Sequence, residues 1–275
     1  MSNRQKQQPT PVAIVTGASG GIGELTARAL AQAGYRVFGT SRKPPSQPTP
    51  GVEHVACDVT RDDSVEAAIT EVLAKTGRID LLVNNAGVGL IGAAEESSIE
   101  QAKALFDVNL FGVIRTIKAV LPVMRRQRSG RIVNISSVQG FIPAPYFALY
   151  GASKHALEGY SESLDHEVRD AGVRVILVEP AYTRTSFESN LIQADQPLGD
   201  YASARSNAET VTREVMLTAD SPEVVAKAVL NAATTAKPGT RYTAGGFARQ
   251  VSLLRRFVPR SAFDKSLRKQ LRMPA

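Results

Sequence analysis

The chain has almost no cysteine and no long apolar run. Of 275 residues only Cys57 carries a thiol, so no intramolecular disulfide can form and a reducing compartment is permitted. Cys57 itself reads as a small hydrophobe at a strand end. No stretch approaches the roughly 20 apolar residues that cross a bilayer. The first eleven residues are polar and lack the apolar segment of a secretory leader. The expectation is a cytoplasmic protein with a disordered tail over residues 1–11. Charge of one sign is also missing from most of the chain. Residues 249–275 hold eight basic side chains against one acid, Asp264, which accounts for the whole net charge of +7 and leaves 25 basic and 25 acidic residues elsewhere. The basicity belongs to one terminus and not to a stripe across the fold, so nucleic acid is not expected as a partner.

What is present is a regular alternation of short β-rich runs with helical patterns. Val12–Val15, Arg36–Thr40, Val52–Ala56, Leu81–Val83, Arg131–Ile135 and Val173–Val178 are rich in Val, Ile and Leu without polar alternation, as expected of strands buried on both faces of a parallel sheet. Ile22–Ala33, Ser64–Lys75, Ile99–Arg126, Ser153–Asp170 and Pro222–Thr234 are long enough for helices, and a last short strand falls near Arg241–Thr243. The order predicts a single α/β domain over 12–248, a doubly wound parallel sheet of the Rossmann type. Glu188–Ala219 is polar and weakly periodic, so a lid is expected over about 186–220. Residues 249–275 form a basic amphipathic extension that Pro259 divides.

Several motifs sit where this architecture places chemistry. Thr16-Gly-Ala-Ser-Gly-Gly-Ile-Gly23 joins the first strand to the first helix. Glycines at 17, 21 and 23 permit a tight turn and close approach of a pyrophosphate, and the helix N-terminus offers free N–H groups and a positive dipole end. Roughly twenty residues on, the adenosine ribose is expected beside the second strand. There the chain has Thr40-Ser41-Arg42 and no carboxylate, which favours NADP, because a guanidinium holds a phosphate bidentately. The plainer reading of Arg42 is a solvated loop charge. Tyr150-Gly-Ala-Ser-Lys154 places a phenol and an ammonium on one helix face. A free tyrosine titrates near 10, and a neighbouring ammonium is expected to lower that value toward use as an acid/base group. Ser137 ends a strand thirteen residues earlier, where its hydroxyl can donate to a carbonyl oxygen. Asn84-Asn85-Ala86-Gly87 follows another strand, with asparagines to fix backbone and glycine to admit a ligand. Asn109, inside the long helix candidate, is suited to breaking the local hydrogen bonding and holding a water.

In these ordered motifs, from about Val12 to Ala233, the chain resembles the short-chain dehydrogenase/reductase family, most of all its hydroxysteroid-dehydrogenase-like members. The resemblance implies nicotinamide-dependent oxidoreduction of a carbonyl/alcohol pair, with NADP (NADPH) favoured over NAD. It implies a catalytic set of Asn109, Ser137, Tyr150 and Lys154. Tyr150 is then the acid/base, Ser137 the group polarising the substrate oxygen, Lys154 the ribose ligand and depressor of the tyrosine pKa, and Asn109 the holder of a relay water. It implies cofactor contacts from Gly17, Ser19, Gly21, Ile22, Gly23, Ser41, Arg42, Asp58 (adenine), Val59, Asn85, Ala86, Gly87, Tyr150, Lys154, Pro180, Thr183 and Thr185. No metal is implied. Ala181 stands where the family usually has glycine, and Ser19 where NADP-specific relatives place a basic residue, so the cofactor preference rests on Arg42.

Phe141, Tyr146, Phe147, Tyr182 and Phe187 surround the expected site. They read either as core or as a pocket for a bulky apolar ketone or aldehyde. The terminal extension is expected to pack on the domain or on a second subunit, with contact to a membrane surface as the alternative. The family resemblance implies a homo-dimer or homo-tetramer. A non-catalytic NADP-binding regulator on the same fold is the other functional class, and the intact tyrosine–lysine pair argues against it.

Overall fold

The computed structural model describes residues 9–45, 47–185, 187, 190–270 and 272. Its strands are β1 (Val12–Thr16), β2 (Arg36–Ser41), β3 (Val52–Ala56), β4 (Leu81–Asn84), β5 (Leu90–Ile91), β6 (Gly130–Ile135), β7 (Val173–Pro180), β8 (Ile192–Gln193) and β9 (Arg241–Ala244). Seven of them form one parallel sheet in the order β3-β2-β1-β4-β6-β7-β9, and β5 and β8 pair separately. The order reverses between β1 and β4, and this switch point opens a crevice at the carboxyl ends of the strands. The doubly wound Rossmann-type fold expected from the sequence is the fold observed.

The helices are α1 (Gly21–Gln32), α2 (Asp62–Thr76), α3 (Ile99–Phe106), α4 (Gly112–Gln127), α5 (Ala148–Val168), α6 (Ala202–Met216), α7 (Pro222–Thr234), α8 (Gly246–Phe257) and α9 (Arg260–Gln270). Successive strand residues point to opposite faces, and β1 shows the consequence. Val12 and Ile14 join the core beneath α2, α4 and α5, whereas Ala13 and Val15 join the core beneath α1 and α7. Both faces are covered, which is why these strands lack polar alternation.

Three elements depart from the sequence reading. The single helix expected over Ile99–Arg126 is interrupted by a π turn at Asp107–Phe111, a wider turn that frees Asn109 to bond outside its own helix. The region expected to be a lid, about 186–220, contains the four-turn helix α6 and the short strand β8, neither of which its weak periodicity indicated. The proposed boundary between domain and extension falls inside α8, so the basic terminus continues a helix that is docked on the domain. The expected disorder of residues 1–11 concerns mainly residues 1–8, which lie outside the described residues.

Candidate active site

The glycine-rich turn is held from behind by the β4 end. Thr16 Oγ1 accepts from the backbone N–H groups of Asn85 and Ala86, both at 3.0 Å. In return, Asn85 Nδ2 donates to the carbonyl oxygens of Thr16 and Gly17 at 3.0 and 3.1 Å. Gly17 and Gly21 adopt φ of +65° and +57°, a left-handed backbone in which glycine alone is unstrained. A Cβ on Gly23 would lie 2.2 Å from the Gly17 oxygen and 2.5 Å from Asn85 Nδ2. Gly23 therefore packs turn against helix and does not face the crevice. Asn84 lies deeper, donating to Asn134 at 2.9 Å and accepting from Thr116 at 2.7 Å.

Tyr150 and Lys154 lie in the first two turns of α5, and both are buried. The Lys154 ammonium sits 5.8 Å from the Tyr150 ring centre and donates to the Ile135 carbonyl oxygen at 2.9 Å. Ser137 Oγ accepts from the Gln139 N–H at 3.1 Å. That bond uses an acceptor site and leaves the hydroxyl proton free to donate. Asn109 Oδ1 accepts from Val88 N, and its Nδ2 donates to Val88 O, both at 2.9 Å, and to Ser153 Oγ at 3.1 Å. Its side chain thus clamps the backbone next to Gly87 and commits both amide protons, while Oδ1 keeps one acceptor site.

The electrostatics correct an expectation. Burial pushes the Tyr150 phenol up to about 12, with Ser137 opposing, and it pulls Lys154 down to about 8, with Glu158 opposing. Desolvation dominates both groups, and the ammonium does not bring the tyrosine below its ordinary value. Behind them lies an ionic cluster whose carboxylates, Glu158 and Glu179, are buried. Glu158 accepts from Ser136 Oγ and from Arg241, each at 2.7 Å, and Arg241 also bonds Glu179. Burial, reinforced by repulsion from Glu158, pushes the Glu179 carboxyl up to about 7.

One cavity of about 970 Å³ gathers these parts. Of the catalytic and cofactor residues that the family resemblance implied, all line it except Gly23 and Asn109. At the far end of the turn, Arg42 is exposed at the rim, where its charge helps hold the Asp58 carboxyl below the usual range. The larger cause there is hydrogen bonding from Thr60. Ser41 Oγ donates to the Lys43 carbonyl oxygen at 2.6 Å. Thr185 Oγ1 accepts from Phe187 N at 3.1 Å, and Thr183 bridges to Asp220. The Ala181 methyl packs beside Val138, Ile142 and Ala248, so the group that replaces glycine here is taken up by α8.

Of the five aromatics, Phe147, Tyr182 and Phe187 line the cavity. Phe141 and Tyr146 belong to neighbouring apolar clusters. The sequence reading missed a whole wall. Met216 of α6, Phe247, Val251 and Leu254 of α8, and Phe263 and Leu267 of α9 also line the cavity. The apolar residues of the terminal segment were visible in the sequence, but nothing local says which surface they meet.

A family model described as short chain dehydrogenase matches residues 11–196. The chain is similar to the 3-ketodihydrosphingosine reductase of Bacteroides thetaiotaomicron, with 44% identity over 179 residues, 65% of this chain and 66% of that protein. It is also similar to the uncharacterized oxidoreductase YbbO of Escherichia coli K12, at 34% over 92% of this chain and 93% of that protein. Among solved structures, a short-chain dehydrogenase from Streptomyces avermitilis aligns with TM-score 0.79 at 33% identity, covering 97% of this chain and 96% of that one. A metagenomic short-chain oxidoreductase in complex with NADP aligns with TM-score 0.67 at 32%, covering 86% and 96%. A 3-ketoacyl-(acyl-carrier-protein) reductase from Brucella melitensis complexed with NADH shares the fold at 24% identity, covering 86% and 96%, with TM-score 0.72. The chain belongs to the short-chain dehydrogenase/reductase family and is an oxidoreductase of that family.

Proposed function

We propose that the protein uses NADPH to reduce an uncharged, apolar ketone or aldehyde, with Tyr150, Ser137 and Lys154 acting on the reacting oxygen and the cofactor. The observation that carries this reading is one cavity with three chemically distinct parts. The glycine turn and Arg42 form one end, the buried tyrosine, serine and lysine form the middle, and an apolar wall forms the other end. The residues fit a dinucleotide. A Cβ on Gly20 would meet nothing within 4 Å, so the turn leaves its backbone open. The first turn of α1 has no side-chain cap, which leaves N–H groups for a pyrophosphate.

Reduced nicotinamide, when bound, supplies the hydride. Tyr150 gives its phenolic proton to the substrate oxygen as the carbonyl carbon gains that hydride, and the Ser137 hydroxyl donates a second hydrogen bond to the oxygen. Lys154 spends one N–H on Ile135 and keeps two donors, which suit ribose hydroxyls. Asn109 acts as a positioning residue by holding Val88, and hence Gly87, in place. At the adenosine end Asp58, Val59, Ser41 and Arg42 form the pocket. A charge-assisted bond from Arg42 to a 2′-phosphate contributes about 1.5–3 kcal/mol, or roughly 10- to 150-fold in affinity. The NADP-bound relative supports that preference.

Among the described residues Asp58 is the only acid lining the cavity, and it lies at the cofactor end. The 44% relative, named for reducing a 3-keto compound, supports a ketone as substrate. The lack of a carboxylate in the cavity lining beside Tyr150 favours a ketone without a cationic group. A panel of ketones and aldehydes, followed by NADPH and NADH absorbance, tests the reading. Bulky neutral ketones with NADPH should give the highest kcat/KM. Turnover confined to charged, polar carbonyls would remove the substrate assignment.

A further inference from the structure

Helix α8 carries apolar side chains on two faces. Ala248 and Val251 are buried against Val138 and Ile142. Leu253, Leu254 and Phe257 lie on another face, 50%, 42% and 73% exposed. With Arg249 they line a shallow surface groove of about 470 Å³. This groove is continuous with the catalytic cavity, because Gln250, Leu254 and Val258 line both. Helix α9 follows with no buried residue. Arg255 donates to the Phe141 carbonyl oxygen and Arg272 pairs with Glu214. Arg249, Arg256, Arg260 and Lys265 have no acidic partner among the described residues.

An exposed apolar strip flanked by unpaired cations calls for an occupant that is apolar within and anionic at its face. A second copy of the chain would supply an apolar face but not an anionic one, because a two-fold interface would set each basic segment, with eight cations to one acid, against itself. An anionic bilayer meets both. Amphipathic helices lie in the interface with their apolar side chains about 5–10 Å deep, and each cation at such a surface contributes roughly fivefold in affinity. Among the described residues no helix is long and apolar enough to cross a membrane.

We propose that α8 and α9 dock the protein on an anionic lipid surface, and that an apolar carbonyl substrate passes from that surface along the groove into the cavity. The docking stands on the terminal helices alone, whereas the substrate route rests on the reading in the preceding subsection.

Flotation of the full chain with vesicles of phosphatidylcholine and phosphatidylglycerol, against phosphatidylcholine alone, tests the docking. The protein should float with the mixed vesicles only, and should be released at 1 M salt, where screening acts over about 3 Å. The pairs Leu253→Glu with Phe257→Glu, and Arg256→Glu with Arg260→Glu, should each weaken partition more than about tenfold. None of these four lines the catalytic cavity, so turnover of a short water-soluble ketone should stay at the parental level. With a long-chain ketone dissolved in the vesicles, the parent should work faster on mixed than on neutral vesicles, and the variants should lose that gain. Absent binding, or equal binding to neutral and mixed vesicles, overturns the docking. So does a dimer that Phe257→Glu dissociates without any vesicle binding, which would assign the strip to a second copy. Docking without faster turnover of the dissolved ketone overturns the route alone. Failure to turn over any ketone overturns the functional reading and leaves the flotation result standing.

Discussion

Tyr150 and Lys154 show burial overriding proximity. The i,i+4 spacing is fixed by the sequence, but desolvation sends the phenol to about 12 and the ammonium to about 8. A proton donor is therefore present throughout the working pH range, which suits reduction. Tyr150→Phe should lower kcat by roughly 10²–10⁴ while the NADPH dissociation constant stays near the parent's. Activity within a few-fold of the parent would take the phenol out of the mechanism. Lys154 is charged below about pH 8 and neutral above it, so kcat/KM for NADPH should fall as pH rises through 8. In Lys154→Met that limb should vanish from an already weakened profile, and an unchanged limb would assign it to another group. Glu179 yields a stability prediction. Its folded pKa of about 7 lies above the ordinary 4.5, so its contribution is complete below pH 4.5 and is lost as pH rises through 7. Thermal melts of Glu179→Gln at pH 5 and pH 8 should differ by less than those of the parent.

At the scale of elements, the β1–α1 turn works only with its support from the β4 end. Gly23→Ala would drive a methyl into the Gly17 carbonyl and the Asn85 amide, an overpacking that costs about 1–3 kcal/mol. Both the melting temperature and NADPH affinity should fall. Gly20→Ala is the control, because Gly20 is extended at φ 178° and its Cβ would meet no atom within 4 Å. Its melting temperature should match the parent's, and equal losses in both variants would refute the packing explanation. The π turn at Asp107–Phe111 is the counterpart on the other side of the crevice. Helical periodicity runs through this segment unbroken, and the wider turn exists because Asn109 bonds to Val88 and Ser153, 21 and 44 residues away in the chain.

Across the whole molecule the terminal helices complete a cavity whose other parts come from the strand ends. Removing residues 259–275 takes away Ala262, Phe263, Ser266, Leu267 and Gln270 from the wall, but no side chain that α9 buries. The truncated chain should keep its melting temperature and NADPH affinity, while KM for a bulky apolar ketone rises by roughly tenfold, as expected for about 1.4 kcal/mol of lost contact. Unchanged KM would show that α9 does not bound the substrate.

The sequence by itself determined the elements whose cause is local. Val52–Ala56 and Pro222–Thr234 are legible to the residue, because apolar periodicity and a proline at a helix start act within a few positions. The glycine turn and the Tyr150–Lys154 spacing are legible for the same reason. The tertiary structure decided what depends on distant partners. The pKa values of that pair follow from how deeply α5 is covered, and Asn109's commitment follows from where Val88 lies. The terminal wall is set by contacts such as Arg255 to Phe141, 114 residues apart in the chain. A helix's own pattern shows that it has an apolar face, and only the packed molecule shows what that face meets.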